Sequence, residues 1–222
     1  MPSALSALAR YTLLIFGALF PIVNPIGTAP LFLTLTRGIS RQGRAVLSRM
    51  IALNGLALIL GSIFVGTHIL AFFGISLPVV QVSGGLVLVA AGWTLLRRDD
   101  EDSSEQTPSK PCEEADYKKQ AFYPLTMPLT VGPGTISVAI TLGANRPEGG
   151  QWALPVIGGM IIGSVAIALS IYLSYRSAEK LAGVLGDAAM NVFIRLSSFI
   201  LVCIGVQIVW NGVKALLREG WR

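Results

Sequence analysis

The chain has 222 residues, 53% of them hydrophobic and only 13% charged, with a net charge of +5. Soluble domains carry about a quarter charged residues, so this composition, with a mean hydropathy of +0.66, argues against a water-soluble fold and for the membrane class. The positive balance does not describe a nucleic-acid surface, because Lys and Arg sit at the ends of apolar runs and form no stripe with aromatics.

A hydrocarbon core about 30 Å thick takes about 20 apolar residues in a helix. The first such run is Tyr11–Thr36. Only Arg10 flanks it, and no A-x-A site follows a short apolar core, so it reads as a permanent span and not a cleaved signal. Met50–Leu96 holds no Asp, Glu, Lys or Arg and is long enough for two spans, divided at "FFGISLP" by Gly74 and Pro78. Ala121–Asn145, Gly149–Tyr175 and Leu196–Val213 complete a predicted set of six. The loops differ in basic residues. Arg37, Arg41, Arg44 and Arg49 fall in the first, Arg97, Arg98, Lys110, Lys118 and Lys119 in the third, and Arg176, Lys180 and Arg195 in the fifth. The second has none and the fourth only Arg146. The excess of positive charge in cytoplasmic loops then places both termini outside, although Lys214, Arg218 and Arg222 in the tail run against it.

The third loop, residues 97–120, is polar, acidic and without apolar period, as expected of a cytoplasmic linker. It separates residues 1–96 from 121–222, each with three spans. An odd number of spans per half inverts the second half relative to the first, the plan of many secondary transporters. The first spans of the halves share helix breakers. "FPIVNPIGT" contains Pro21, Pro25, Gly27 and Thr28; "YPLTMPLTVGPGT" contains Pro124, Pro128, Pro133, Gly134 and Thr135. In the third spans, "LVLVAAGW" lines up with "ILVCIGV", setting Gly92 beside Gly205.

Proline removes an N–H, crowds the carbonyl four residues back and pushes its predecessor out of the helical region. Backbone groups freed in this way must be buried in protein or line a polar cavity. The expected fold is therefore an all-α membrane protein of two inverted three-helix repeats, with the first helix of each repeat broken near the midplane. Pro21, Pro25, Pro128 and Pro133 are the expected break residues. Half-helix N-termini suit a carboxylate and freed carbonyls suit a cation or an ammonium group. Asn24, Thr28, Thr130 and Thr135 are the candidate contacts to solute or ion, and Gly27, Gly132 and Gly134 let backbone approach it. Thr126 and Ser137 add polar company.

Gly159 and Gly163 would allow close helix packing. Asn54, Gln81, Gln207 and Asn211 are buried-polar candidates for lining the cavity or tying helices. His68 is the single histidine; it would be an interfacial residue or a proton carrier. No Asp or Glu lies in any span, so sodium held by carbonyls and hydroxyls is simpler chemistry than a proton relay. Cys112 falls in the third, cytoplasmic loop, a reducing compartment, and Cys203 in the last span, so no disulfide is expected, and no metal-ligand cluster or cofactor motif is present. No Ser/His/Asp set, H-E-x-x-H or phosphate loop points to an enzyme.

"NPIGTAPLFLTLT" (Asn24–Thr36) and "MPLTVGPGTIS" (Met127–Ser137), with six spans and a polar loop between halves, resemble the MarC family of inner-membrane proteins along essentially the whole chain. The resemblance implies a plasma-membrane protein of transporter-like architecture, some members being described as proton-coupled transporters of small neutral amino acids such as alanine and glycine. The expected function is a secondary transporter of such solutes, with H+ or Na+ as coupling ion. An exporter of drugs or metabolites and a non-transporting scaffold or regulatory protein are the alternatives. The expected partners are the lipid bilayer and a small solute, with small residues on several spans also suited to a homo-oligomer.

Overall fold

The computed structural model describes residues 4–36, 38–97, 120–145 and 153–219. Among them every regular element is helical: α1 (Ala4–Val23), α2 (Pro25–Leu35), α3 (Arg41–Phe72), α4 (Leu77–Leu96), α5 (Ala121–Thr130), α6 (Pro133–Ala144), α7 (Ala153–Arg176) and α8 (Ala178–Glu219). Local chemistry sets several ends. Ser40 caps α3, its Oγ accepting from the Gly43 N–H at 3.1 Å. Gly74, at φ 65°, takes the chain out of α3, and Pro78 lies in the first turn of α4. The "FFGISLP" division thus falls where the breakers placed it. Most of the polar linker, with Cys112, lies outside the described residues. Cys203 is exposed on α8.

Five segments are long and apolar enough to cross a membrane: Ala4–Leu33, Arg41–Phe72, Leu77–Thr94, Leu154–Arg176 and Ser198–Arg218. α5 and α6 together make a sixth, bent by 69° at its break. Large aliphatic side chains such as Leu13, Leu53, Val65 and Leu169 face outward, which water would penalise and lipid tails do not.

Two expectations need correcting. Pro21 does not break its helix. α1 runs through it to Val23, and the interruption falls at Asn24, whose φ of 45° is left-handed. One proline costs one hydrogen bond and bends a helix, whereas a reversed φ ends it, and Asn tolerates that conformation better than most residues. Hydrogen bonds continue on both sides, from the Asn24 N–H to the Phe20 carbonyl and from the Thr28 N–H to the Asn24 carbonyl. The first break is therefore one residue wide. The fifth loop is also not a loop: Lys180 and Arg195 lie within α8, which begins at Ala178 with Glu179 in its first turn. No proline interrupts this stretch, and an acidic first turn favours a helix start.

The main helix contacts run between the halves. α1 packs on α7, α3 on α6 and α7, and α4 on α8 and α6. Glycines set the approach. A Cβ on Gly159 would lie 2.6 Å from the Leu8 carbonyl oxygen, and one on Gly163 2.8 Å from Ile15 Cβ, as close packing of α7 on α1 requires. The α4–α8 seam has a reciprocal pattern. Gly85 faces the Gly205 carbonyl and Val209, while Gly205 faces the Gly85 carbonyl and Val89. Gly92 faces the Ser198 carbonyl and Val202, while Gly212 faces the Pro78 carbonyl and Val82. Gly85 and Gly205 thus face each other, and Gly92 and Gly212 each meet a carbonyl and a valine of the opposite helix.

A side chain in this seam must push backbone from backbone. Gly205→Leu is expected to destabilise the protein by about 1–3 kcal/mol or more, read as a lower thermal midpoint in detergent. Gly61→Leu is the control, since nothing lies within 4 Å of a Cβ there, and it should leave the midpoint nearly unchanged.

A cavity between two interrupted spans

In α5 the residues before Pro124 and Pro128 are extended, Tyr123 at φ −123°, ψ 125° and Met127 at φ −116°, ψ 124°, as a following proline dictates. The backbone cannot then close an ordinary helical ladder. Threonine hydroxyls supply part of the missing donation. Thr126 Oγ1 donates to the Ala121 carbonyl at 2.6 Å, and Thr130 Oγ1 lies 2.7 Å from the Leu125 carbonyl. The Val131 N–H reaches the Thr126 carbonyl at 2.8 Å. Gly132 is extended, and Pro133 opens α6. No side chain caps that helix, so its first N–H groups, at Gly134 and Thr135, lack an intrahelical or capping partner.

The other break is built differently. Asn24 Oδ1 accepts from the Gly27 N–H at 3.2 Å and so caps α2. A Cβ on Gly27 would lie 2.3 Å from Asn24 Nδ2, so this position requires glycine. Pro25 opens α2 as Pro133 opens α6.

The two breaks meet at a cavity of 450 Å³. Asn24, Gly27, Thr28, Thr130, Gly132, Gly134 and Thr135 all line it, with Pro128 and Pro133. Pro25 is buried outside the lining and Pro21 is exposed. α4 contributes Val87, Leu88, Ala91 and Thr94, and α8 contributes Ser198 and Leu201. None of the lining residues is charged or aromatic. A second cavity, of 680 Å³, lies at the adjoining ends of α3, α7 and α8 and is lined by Arg41, Arg44, Tyr175, Arg176, Glu179 and Lys180 among others. There Arg44 Nη2 is 2.8 Å from Glu179 Oε1.

Sequence reasoning missed Tyr175. Its ring stacks on Phe32, centroids 4.6 Å apart. Its hydroxyl donates to Thr28 Oγ1 at 3.0 Å and is 2.8 Å from Thr130 Oγ1. It thus joins one threonine from each interrupted span. A tyrosine at a span end reads as part of the interfacial belt, so nothing in the sequence marked it. Other polar candidates tie helices. Gln81 Nε2 donates to Thr141 Oγ1 at 3.3 Å, and Ser137 Oγ donates to the Val80 carbonyl at 2.8 Å. Gln207 bonds Asn211 one turn along the exposed face of α8. Neither Asn54 nor His68 lines the cavity, and His68 is exposed on α3.

A helical membrane domain holding a solute-sized cavity between two proline-opened half-helices is a transporter-like integral membrane protein. The chain belongs to the MarC family: the family model described as MarC family integral membrane protein matches residues 9–217. It is 30% identical over 211 residues to UPF0056 membrane protein MJ1677 of Methanocaldococcus jannaschii, covering 94% of this chain and 98% of that protein. It is 32% identical over 206 residues to UPF0056 inner membrane protein MarC of Salmonella typhimurium, covering 90% and 92%. The MarC protein of Citrobacter koseri is 30% identical over the same length. The two relatives named inner membrane protein MarC place the chain in the inner membrane. No solved structure matches it.

Proposed function

We propose that the chain is a secondary transporter of small neutral amino acids, alanine- or glycine-like, or of similar small polar solutes. The observation that carries this reading is the shared cavity, where the openings of α2 and α6 come together without a charged side chain. Its 450 Å³ lies toward the lower end of the roughly 300–1,000 Å³ of small-molecule sites. The uncapped N–H groups of Gly134 and Thr135 suit a carboxylate, through unpaired donors and the helix dipole. Asn24 Oδ1 is engaged by Gly27, which leaves its amide N–H groups as donors. Hydroxyls of Thr28, Thr130 and Thr135 suit an ammonium group. Pro25 and Pro133 keep these backbone groups out of helical bonding. A site for bulky drugs would present aromatic faces, and this lining has none.

The inverted-repeat plan, with the first and third loops cytoplasmic, is part of the proposal. The exchanged glycine contacts along α4 and α8 support it, as do the two proline-opened half-helices. Gradient-driven uptake of labelled alanine and glycine into proteoliposomes tests the function. Accumulation under an imposed sodium or proton gradient supports it. Folded protein that moves neither solute under any gradient, in either direction, removes the amino-acid assignment.

A further inference from the structure

Five oxygens stand in a row across the two interrupted spans. The Asn24 carbonyl is 3.0 Å from Thr28 Oγ1. Thr28 Oγ1 is 3.0 Å from the Tyr175 hydroxyl, which is 2.8 Å from Thr130 Oγ1. Thr130 Oγ1 is 2.7 Å from the Leu125 carbonyl. A hydroxyl brings one proton and a carbonyl none. The row therefore has four contacts and three protons to fill them. Whichever way the hydroxyls turn, one contact sets lone pair against lone pair. Among the described residues no N–H donates to these three hydroxyls. The residues are nearly closed to solvent: Thr28 is 7% exposed, Thr130 2% and Tyr175 2%.

A positive charge relieves this mismatch. Backbone carbonyls at broken helices coordinate the cation in discontinuous-helix transporters; here the Asn24 carbonyl also accepts from the Thr28 N–H and keeps a second lone pair for the row. Hard cations take oxygen ligands in general. We propose that the row formed by Asn24 O, Thr28, Tyr175, Thr130 and Leu125 O is a binding site for a sodium ion, separate from the solute position and adjoining it. Thr28 and Thr130 line the 450 Å³ cavity and are shared with the solute, while Tyr175 lies behind them and lines the 680 Å³ cavity. An ion here ties the two interrupted spans together from behind the solute. Its role as coupling ion rests on the transport reading; its binding does not.

The test needs no amino acid. Thermal unfolding of the full chain in detergent is followed in sodium chloride and in choline chloride at equal ionic strength. Sodium is expected to raise the midpoint saturably, choline not. Tyr175→Phe keeps the ring on Phe32 and removes one ligand, and should weaken sodium binding about tenfold or more. Thr130→Ser should retain binding and Thr130→Val should lose it, which keeps the test decisive if the tyrosine variant folds poorly. Ser83→Ala, at an exposed hydroxyl on α4, should bind as the parent does. A parent midpoint equal in sodium and choline overturns the site and leaves the row to be closed by water. Equal sodium responses in Thr130→Ser and Thr130→Val overturn it as well. Sodium binding without alanine or glycine transport would sink the solute assignment alone, and proton-driven uptake with no sodium response would sink this site alone.

Discussion

Asn24→Ala is expected to abolish solute accumulation in proteoliposomes, while Asn24→Gly retains part of it. Asn24 has two roles that glycine and alanine separate. Its φ of 45° costs an alanine about 1–2 kcal/mol and a glycine nothing of that kind. Its Oδ1 caps the Gly27 N–H, a contact worth about 1 kcal/mol against alanine but only a few tenths against glycine. The alanine variant should lose about 2–3 kcal/mol in all and let the break relax toward continuous helix. α2 then no longer opens onto the cavity. The glycine variant keeps the break and loses the amide donors and the Oδ1 cap, the latter at a cost of only a few tenths of a kcal/mol. Thermal midpoints and initial uptake rates, measured on the same preparations, separate the two. Equal uptake by the alanine variant and the parent protein would show that the first break does not hold solute.

The second large effect concerns Gly134. A Cβ there would lie 2.2 Å from Leu88 Cγ, and both residues line the cavity. Leu88 is held at 7% exposure, so Gly134→Ala must either drive its side chain into the cavity or push α4 off α6. Overpacking of this kind costs about 1–3 kcal/mol, and here it also removes room for the solute. Uptake by Gly134→Ala is expected to fall at least about tenfold, equivalent to a loss of about 1.4 kcal/mol. Adding Leu88→Ala frees the space and should restore much of the uptake. That coupling, measured as a double-mutant cycle, is the signature of a shared cavity wall. Additive losses would place the effect of Gly134 elsewhere, in the start of α6.

The spans, the division of the second apolar run and the break residues that face the cavity were legible in the sequence, because each follows from local backbone chemistry; the α4 and α8 side of the lining was not. Charge-free length defines a span. Proline at the first helical position and glycine or asparagine before it define where a half-helix opens. Membrane burial forces the freed groups to a common interior. The same reasoning failed at Pro21, where one proline was given the force of a break that belongs to the left-handed Asn24. It also failed in the fifth loop, where basic residues were read as loop although the chain there has no reason to leave the helix.

The sequence alone marked Pro25 and Pro133 as the residues that open half-helices, since φ restriction and missing donors act within a few residues. Only the tertiary structure decided which of them meet. The register of α4 on α8, with Gly85 against Gly205, depends on glycines far apart in the chain whose backbones must touch. The row joining Thr28 to Thr130 depends on Tyr175, a residue of α7 with no local signal, brought into place by stacking on Phe32. Contacts of that kind are chosen by packing across the halves, and no stretch of sequence shorter than the whole fold contains them.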